Sequence, residues 1–376
     1  MNIVLVTEAY HPLKNGVVHS IELQAHELVR QGHTVHIIAP TSTKPVSPYV
    51  HRVPSIALPG GIGYTVAFPF LGAAALIQAA DIVHTHHPFV LGYWARMVAR
   101  RHNKPFVFTN HTQYLKYLHY VPTVGRLLHE PLRSYVAGFA NSCTVVLAPA
   151  RGMAQILEEH GVSRPIVIVP NGIDAGRYAG LDKQEARGRL GIAPNRCVVL
   201  FVGRLGKEKR VDGLLQAFAT LPVSCDLVLA GEGPLRKELE SLAASLAVTD
   251  RVRFLGSVPY ERMPDVYAAA DMFGIASDSE VHPLVVLEAQ AAGLPVVAVP
   301  GPGASELVDH GRTGLIAGPD TVSFADALRR LAASSDLRRR FGATGAVRAQ
   351  AFGIERATRR LIDAYQAAAG RIGCHL

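Results

Sequence analysis

The chain has 376 residues, more than the ~250–300 at which one hydrophobic core stops growing, so two domains of ordinary size are expected. Hydrophobic residues make up 49% and charged residues 18%, which excludes a disordered chain. The net charge is +8, and through Pro170 thirteen Lys and Arg stand against seven Asp and Glu, so the first half carries most of a positive excess suited to an anionic ligand, an anionic membrane or nucleic acid.

The opening "MNIVLVTEAYHP" has a few apolar residues with no basic region before them. It reads as a strand and not a signal peptide, and a cytoplasmic protein is expected. No G-x-G-x-x-G follows that strand; the first glycine is Gly16, in "HPLKNGVVHS", so the usual dinucleotide pyrophosphate loop is missing. "NGVVHSI" still leads into the helix candidate "SIELQAHELVRQG", whose first N–H groups can meet an anion or a sugar hydroxyl. A simple turn glycine is the alternative. The charge-free interval from Val53 to Ala80 is interrupted by Pro69 and early glycines before a ~20-residue span is complete, and a buried loop and helix is preferred to a membrane span.

Short β-branched runs recur between amphipathic stretches: "NIVLV", "TVHIIA", "DIVHTH", "PFVFT", "TVVLA" and "PIVIVP", then "CVVLFV", "DLVLAG", "RVRFLG", "MFGIA" and "PVVAVP". Strand alternating with helix predicts an α/β fold of parallel sheets covered on both faces. The series pauses at "NGIDAGRYAGLDKQEARGRLGIAPNR" and restarts. We therefore expect a first doubly wound domain over 1–170, a linker over 171–195, a second over 196–350 and a C-terminal helix over 351–376 that returns to the first domain. Cys143, Cys197, Cys225 and Cys374 show no C-x-x-C spacing, so free thiols are expected, with no disulfide and no zinc.

Open parallel sheets bind ligands at the carboxyl ends of their strands. That rule selects His11–Gly16, His84–Pro88, Asn110–Tyr114, Asn171–Asp174, Gly203–Lys209, Gly231–Pro234 and Glu280–Glu288. "FVGRLGKEKR" places Arg204, Lys207, Lys209 and Arg210 in one loop after a strong strand, enough cations to neutralise a diphosphate; a solvated basic loop is the alternative. In "SEVHPLVVLEAQAAG", Pro283 is suited to the first position of a helix. The N–H groups of Leu284 and Val285 then form, with the helix dipole, a phosphate site into which Arg204 and Lys209 could point. Glu288, a turn further in, is near the reach of a ribose diol, and Glu280 lies ahead of the helix on the opposite side of the phosphates.

These segments, with "LVLAGEGPLRKELE", "RVRFLGSVP", "IVPNGID", "AYHPLKNGVVHSI", "DIVHTHHP" and "FVFTNHTQY", resemble in order and over nearly the whole chain the retaining family 4 glycosyltransferases of the GT-B fold. "NGVVHSI" and "NHTQYLKYLHYVP" are most similar to members that glycosylate diacylglycerol or glycolipids. The resemblance implies two facing Rossmann-like domains. It also implies Arg204 and Lys209 on the diphosphate, Glu288 on the ribose, Glu280 on the transferred sugar, Gly16 approaching the donor from the first domain, His111 near sugar and acceptor, and the Val258 backbone at the base. Many members have Gly where this chain has Pro283, a departure that makes galactose a candidate beside glucose.

The implied reaction is transfer of glucose or galactose, with retention, from a UDP-sugar to a membrane lipid such as diacylglycerol or a glycolipid, at an anionic surface on the cytoplasmic side. Docking through "QYLKYLHYVPTVGRLLHEPLRSYVAG" is expected, where Tyr, Leu and Val alternate with Lys116, Arg126 and Arg133. No D-x-D metal motif is present, "DSE" at Asp278 being the nearest approach, and no cofactor or obligatory metal is expected. A nucleotide-sugar epimerase, or a transferase with a soluble or polysaccharide acceptor, is the alternative. Nucleic acid is not expected, because no aromatics interleave with the basic residues as a stacking platform requires.

Overall fold

The computed structural model describes residues 1–11, 13, 15–41, 48–57, 65–68, 71–120 and 125–373. Pro69, most of the glycines of the charge-free interval, and Cys374 lie outside them. The chain divides into two compact units, residues 1–172 with the helix Ile354–Gly373, and residues 173–353.

In the first unit the strands are β1 (Asn2–Val6), β2 (Thr34–Pro40), β3 (Val50–Val53), β4 (Ser55–Ala57), β5 (Thr65–Ala67), β6 (Ile82–Thr85), β7 (Phe106–Thr109), β8 (Val145–Ala148) and β9 (Ile166–Ile168). Its helices before the crossover are α1 (Gly16–Arg30), α2 (Leu71–Ala79), α3 (Val90–Arg101), α4 (Gly125–Asn141) and α5 (Arg151–Glu159). The main sheet is parallel, in the order β3-β2-β1-β6-β7-β8-β9, while β4 and β5 form a separate antiparallel pair. Strands β1, β6, β7 and β8 are buried almost end to end, as expected of strands covered on both faces, which is why they were legible as unbroken apolar runs.

The second unit has strands β10 (Cys197–Val202), β11 (Cys225–Ala230), β12 (Val252–Gly256), β13 (Met272–Ile275), β14 (Val296–Ala298) and β15 (Gly314–Ile316), in the parallel order β12-β11-β10-β13-β14-β15. Its helices are α6 (Lys183–Leu190), α7 (Val211–Ala219), α8 (Arg236–Ser245), α9 (Met263–Ala268), α10 (Leu284–Ala291), α11 (Ala304–Leu307), α12 (Thr321–Ala332) and α13 (Ser335–Ala349). The segment read from sequence as a linker is structured beyond residue 172. Asp182 caps α6 by accepting the Glu185 N–H, Gly191 closes it at φ 65°, and Ile173, Ala175, Tyr178, Ala186 and Ile192 are buried in the second unit's core.

The C-terminal helix, α14 (Ile354–Gly373), belongs to the first unit. Leu361, Ala364, Tyr365 and Ala368 recur at one-face helical spacing and pack with Ile21, Ala25 and Leu28 of α1 in the core beside β1. Burial of Leu361 alone contributes about 2 kcal/mol. Among the described residues no helix is long and apolar enough to cross a membrane.

Candidate active site

Both sheets reverse direction of build-up at their first strand, between β1 and β6 in the first unit and between β10 and β13 in the second. A crevice at the carboxyl ends of such a pair is where open α/β sheets bind ligands, and the polar side chains selected from sequence collect there in each unit.

In the second unit, β10 delivers the loop Gly203–Lys209 and β13 the loop Ser277–Pro283. Close backbone approaches hold the strand ends. A Cβ at Gly231 would fall 1.9 Å from the Gly203 carbonyl, and one at Gly233 2.4 Å from that of Leu205, so neither position accepts a side chain. Ser277 donates to the Glu208 carbonyl at 2.9 Å, and Gly303 N–H to the Glu280 carbonyl at 3.0 Å. The two loops are joined by Lys209, whose Nζ donates to Glu280 Oε1 at 2.6 Å. Arg204 is half-buried; its carbonyl accepts the Gly206 N–H at 2.9 Å, and its guanidinium makes no hydrogen bond or ion pair with the described residues. Arg210 stands in the left-handed region at φ 49°, with its guanidinium on the Pro319 carbonyl at 3.0 Å.

Sequence placed Pro283 at the first helical position; the structure moves it one residue out. It is the N-cap of α10, at φ −71° and ψ 114°, and its carbonyl accepts the Val286 N–H at 3.1 Å. Leu284 and Val285 become the first two helical residues, whose N–H groups no intrahelical carbonyl can reach. Glu288 is buried, and Tyr267 donates its hydroxyl to the carboxylate at 2.7 Å. Burial together with the Glu288 charge pushes the Tyr267 and Tyr178 phenols above their ordinary range. Tyr178 packs edge-on to Tyr267, and Arg177 lies 4.2 Å over the Tyr260 ring, two residues beyond half-buried Val258. Tyr178, Tyr260 and Tyr267 were missed from sequence. Tyr260 follows "FLGSV" at a strand end and could have been selected by the same rule; the other two are brought in by helical and 3-10 segments.

In the first unit, Gly16 opens α1, and Asn15 caps that helix by accepting the Val18 N–H at 2.9 Å. Pro12 and Lys14, which precede it in sequence, lie outside the described residues. Glu8, just past β1, is buried and accepts the Leu91 N–H at 2.8 Å, doing for α3 what its own N-cap, Phe89, does not. Burial pushes this carboxyl up to about 7. It too was missed, although it falls two residues after a strand.

The histidines form a connected group. His84 is wholly buried, with Nδ1 2.7 Å from the Tyr365 hydroxyl and Nε2 2.7 Å from Thr109 Oγ1. The His86 ring lies against it, tilted by 41° with 4.2 Å between ring centroids, and His86 Nδ1 lies 2.9 Å from His111 Nε2. Burial holds His84 at about 3 and His87 at about 4. His86 and His111 are held well below the usual imidazole range, first by desolvation and then by neighbouring imidazoles. All four rings are therefore neutral at pH 7, His111 included although part of that residue's surface is exposed. Among the described residues no three His, Cys, Asp or Glu side chains converge in a group that could hold a metal ion.

Residues 14–177 match the family described as Glycosyltransferase Family 4, and residues 182–348 the family described as Glycosyl transferases group 1. The chain is 32% identical over 334 residues to alpha-monoglucosyldiacylglycerol synthase of Streptococcus pneumoniae, covering 84% of this chain and 75% of the relative. It is also 32% identical over 378 residues to D-inositol 3-phosphate glycosyltransferase of Nocardia farcinica, covering 91% and 82%. Among solved structures, Anabaena HepE in complex with UDP and glucose superposes with a TM-score of 0.80 at 19% identity, over 98% of this chain and all of that one.

Proposed function

We propose, from the premise that this chain belongs to the family 4 glycosyltransferases and is an enzyme of that class, that it transfers a hexose from a UDP-sugar to a membrane lipid with retention of configuration. The fold is that of the GT-B glycosyltransferases. The observation that carries the donor reading is the joined pair of strand-end loops in the second unit, with Arg204, the Lys209–Glu280 pair and the start of α10 at one sheet reversal. Arg204, Lys209 and the N–H groups of Leu284 and Val285 neutralise charge that develops on a departing diphosphate, an electrostatic contribution that is strong where water is excluded. These cations make a metal unnecessary in this reading. Glu288, oriented by Tyr267, takes the ribose diol, the Val258 backbone meets the base, and Glu280 takes a sugar hydroxyl. Gly16 and His111 of the first unit are assigned the roles that the family resemblance implies, on the donor and on sugar and acceptor.

Lipid as acceptor is supported by the synthase from Streptococcus pneumoniae and by the surface of the first unit. On α3, Val90, Tyr93 and Met97 form an exposed apolar stripe at helical spacing, beside exposed Arg100 and Arg101 and with Arg96 over the Tyr93 ring. On α4, Leu127 is 78% exposed, and Tyr135 stacks on Phe89 and donates to the Pro88 carbonyl at 2.6 Å. Apolar and basic residues together favour an anionic interface. Within the segment 113–138, Leu127, Leu128 and Tyr135 are the exposed large hydrophobics among the described residues; residues 121–124 and the side chains of His119, Tyr120 and Arg126 lie outside what is described. An enzyme working at the cytoplasmic membrane face fits these features. The D-inositol 3-phosphate glycosyltransferases favour a second reading, with a soluble phosphorylated acceptor.

Mass spectrometry of lipid extracts, and separately of inositol phosphates, incubated with a panel of nucleotide sugars tests both. A hexosylated lipid formed from UDP-glucose or UDP-galactose is expected. Conversion of the donor alone, or a product only among the inositol phosphates, would overturn the lipid reading.

A further inference from the structure

His86 and His111 share a hydrogen bond between two ring nitrogens, Nδ1 of the first and Nε2 of the second, 2.9 Å apart with the rings tilted by only 24°. One proton lies between them, because two N–H groups would collide and two lone pairs would repel. Either His86 donates, and His111 then carries its proton on Nδ1, or His111 donates, and His86 then carries its proton on Nε2. The surroundings of His86 decide. Its residue is 0% exposed, and its Nε2 has no partner among the described residues. A proton there would make a buried N–H with nothing to donate to, whereas a bare Nε2 leaves only an unfilled lone pair. Orphaned buried donors are rarer than under-used acceptors. No hydrogen bond from His111 Nδ1 to a described residue exists, and His111 is partly exposed.

We propose that His86 is a positioning residue that fixes the tautomer of His111, so that His111 presents an Nδ1–H donor, and not a base, to a bound substrate. The catalytic consequence rests on the reading of the chain as a glycosyltransferase; the position of the proton does not. In that reaction His111 donates a hydrogen bond to an oxygen of sugar or acceptor. The acceptor's hydroxyl proton then passes to the departing phosphate oxygen as the new glycosidic bond forms and the sugar–phosphate bond breaks. The tilted contact of the His84 ring with His86, with Tyr365 and Thr109 at the His84 nitrogens, holds the pair in place from behind.

Two measurements on the full chain test this. Two-bond proton–nitrogen spectra of histidine-labelled protein, assigned with His86→Asn and His111→Asn, need no substrate. A protonated Nδ1 and a bare Nε2 in both rings is expected, and a protonated Nε2 on His111 overturns the proposal even if transfer is observed. For the reaction, His111→Asn keeps a donor near the Nδ1 position but has no basic nitrogen, so a base would lose ~10²–10⁴-fold in kcat. A His111→Asn rate within about tenfold of the natural protein, with His111→Ala far lower, is expected. Equal loss in both, at unchanged melting temperature, removes the donor role. His86→Phe should lower kcat with little change in donor KM, and His86→Asn should restore most of it; failure of that rescue refutes positioning through the hydrogen bond.

Discussion

Lys209 donates to Glu280 at 2.6 Å, while the Arg204 guanidinium has no such partner among the described residues, so the two cations assigned to the diphosphate stand differently. Arg204→Ala should cut kcat/KM by ~10²–10³-fold with folding intact; near-normal turnover would remove Arg204 from the phosphate clamp. Removing Lys209 or Glu280 singly strands the other charge, whereas the double variant strands neither. A double-mutant cycle on stability should show coupling of about 1 kcal/mol or more between them. The two glutamates should also separate by calorimetry with UDP alone: Glu288→Ala should weaken binding and Glu280→Ala should spare it, and equal losses would refute the division of roles. The neighbourhood of each residue type was legible, since cations after one strand and carboxylates after another follow from the strand-end rule. Their contact was not. Residues 209 and 280 meet because β10 and β13 are neighbours in the sheet, and nothing local in either loop encodes that adjacency. The contact of Glu8 with Leu91 and the histidine pairing escaped for the same reason: β1, β6 and β7 had to be placed side by side first.

Helix α10 shows how far a local rule carries an element. Proline at the start of "LVVLEAQAAG" located the helix to within a residue, but a Pro fits both the cap and the first turn, and only the backbone at ψ 114° chose the cap. Its lack of an N–H still removes a donor from the approach to this helix, and His282, neutral because burial holds it at about 4, packs against Phe352 next door. The ratio of efficiencies for UDP-glucose and UDP-galactose should therefore shift in Pro283→Gly or His282→Ala, by more than about threefold if this segment reads the sugar. A smaller change in both would assign sugar choice elsewhere. On α3 the expected outcome is electrostatic. Arg100→Glu with Arg101→Glu should weaken sedimentation with anionic vesicles, at about 1 kcal/mol per charge, and leave neutral vesicles unaffected. Equal binding to both vesicle types by the natural protein would count against the surface. The strands β3, β4, β5 and β15 were not expected from sequence; each has three or four residues, too few for a period-2 pattern to rise above its surroundings.

For the whole molecule, composition and the strand–helix alternation were sufficient to give two doubly wound units; the place of residues 173–195 was not, because a polar stretch with two short helices looks like a connector until Ile173, Tyr178 and Ile192 are seen in the core. The buried titratable groups of the first unit predict its response to pH. A histidine held below its unfolded pKa contributes stability that is present above about 6.5 and lost as pH falls below it. His84 and His87, at about 3 and 4, therefore draw stability away in acid. Glu8, raised to about 7, works the other way: its contribution is full below its unfolded pKa of 4.5 and lost as pH rises through 7. Glu8→Gln keeps the acceptor for Leu91 without the charge. It should raise the melting temperature at pH 8, by the equivalent of up to about 3 kcal/mol, and change little at pH 4.5; no difference at pH 8 would mean that Glu8 is not buried as described. The return of α14 to the first unit has a consequence for biosynthesis. A ribosome that has made residues 1–172 has produced a core still lacking Leu361 and Tyr365, and it must translate all of the second unit before supplying them. Residues 173–353 are contiguous and complete themselves first, so the order of maturation reverses the order of synthesis. Nascent chains arrested at residue 353 should resist protease across the second unit while the first remains susceptible, and a chaperone that shelters exposed apolar surface would find its longest-lived client in the amino-terminal half.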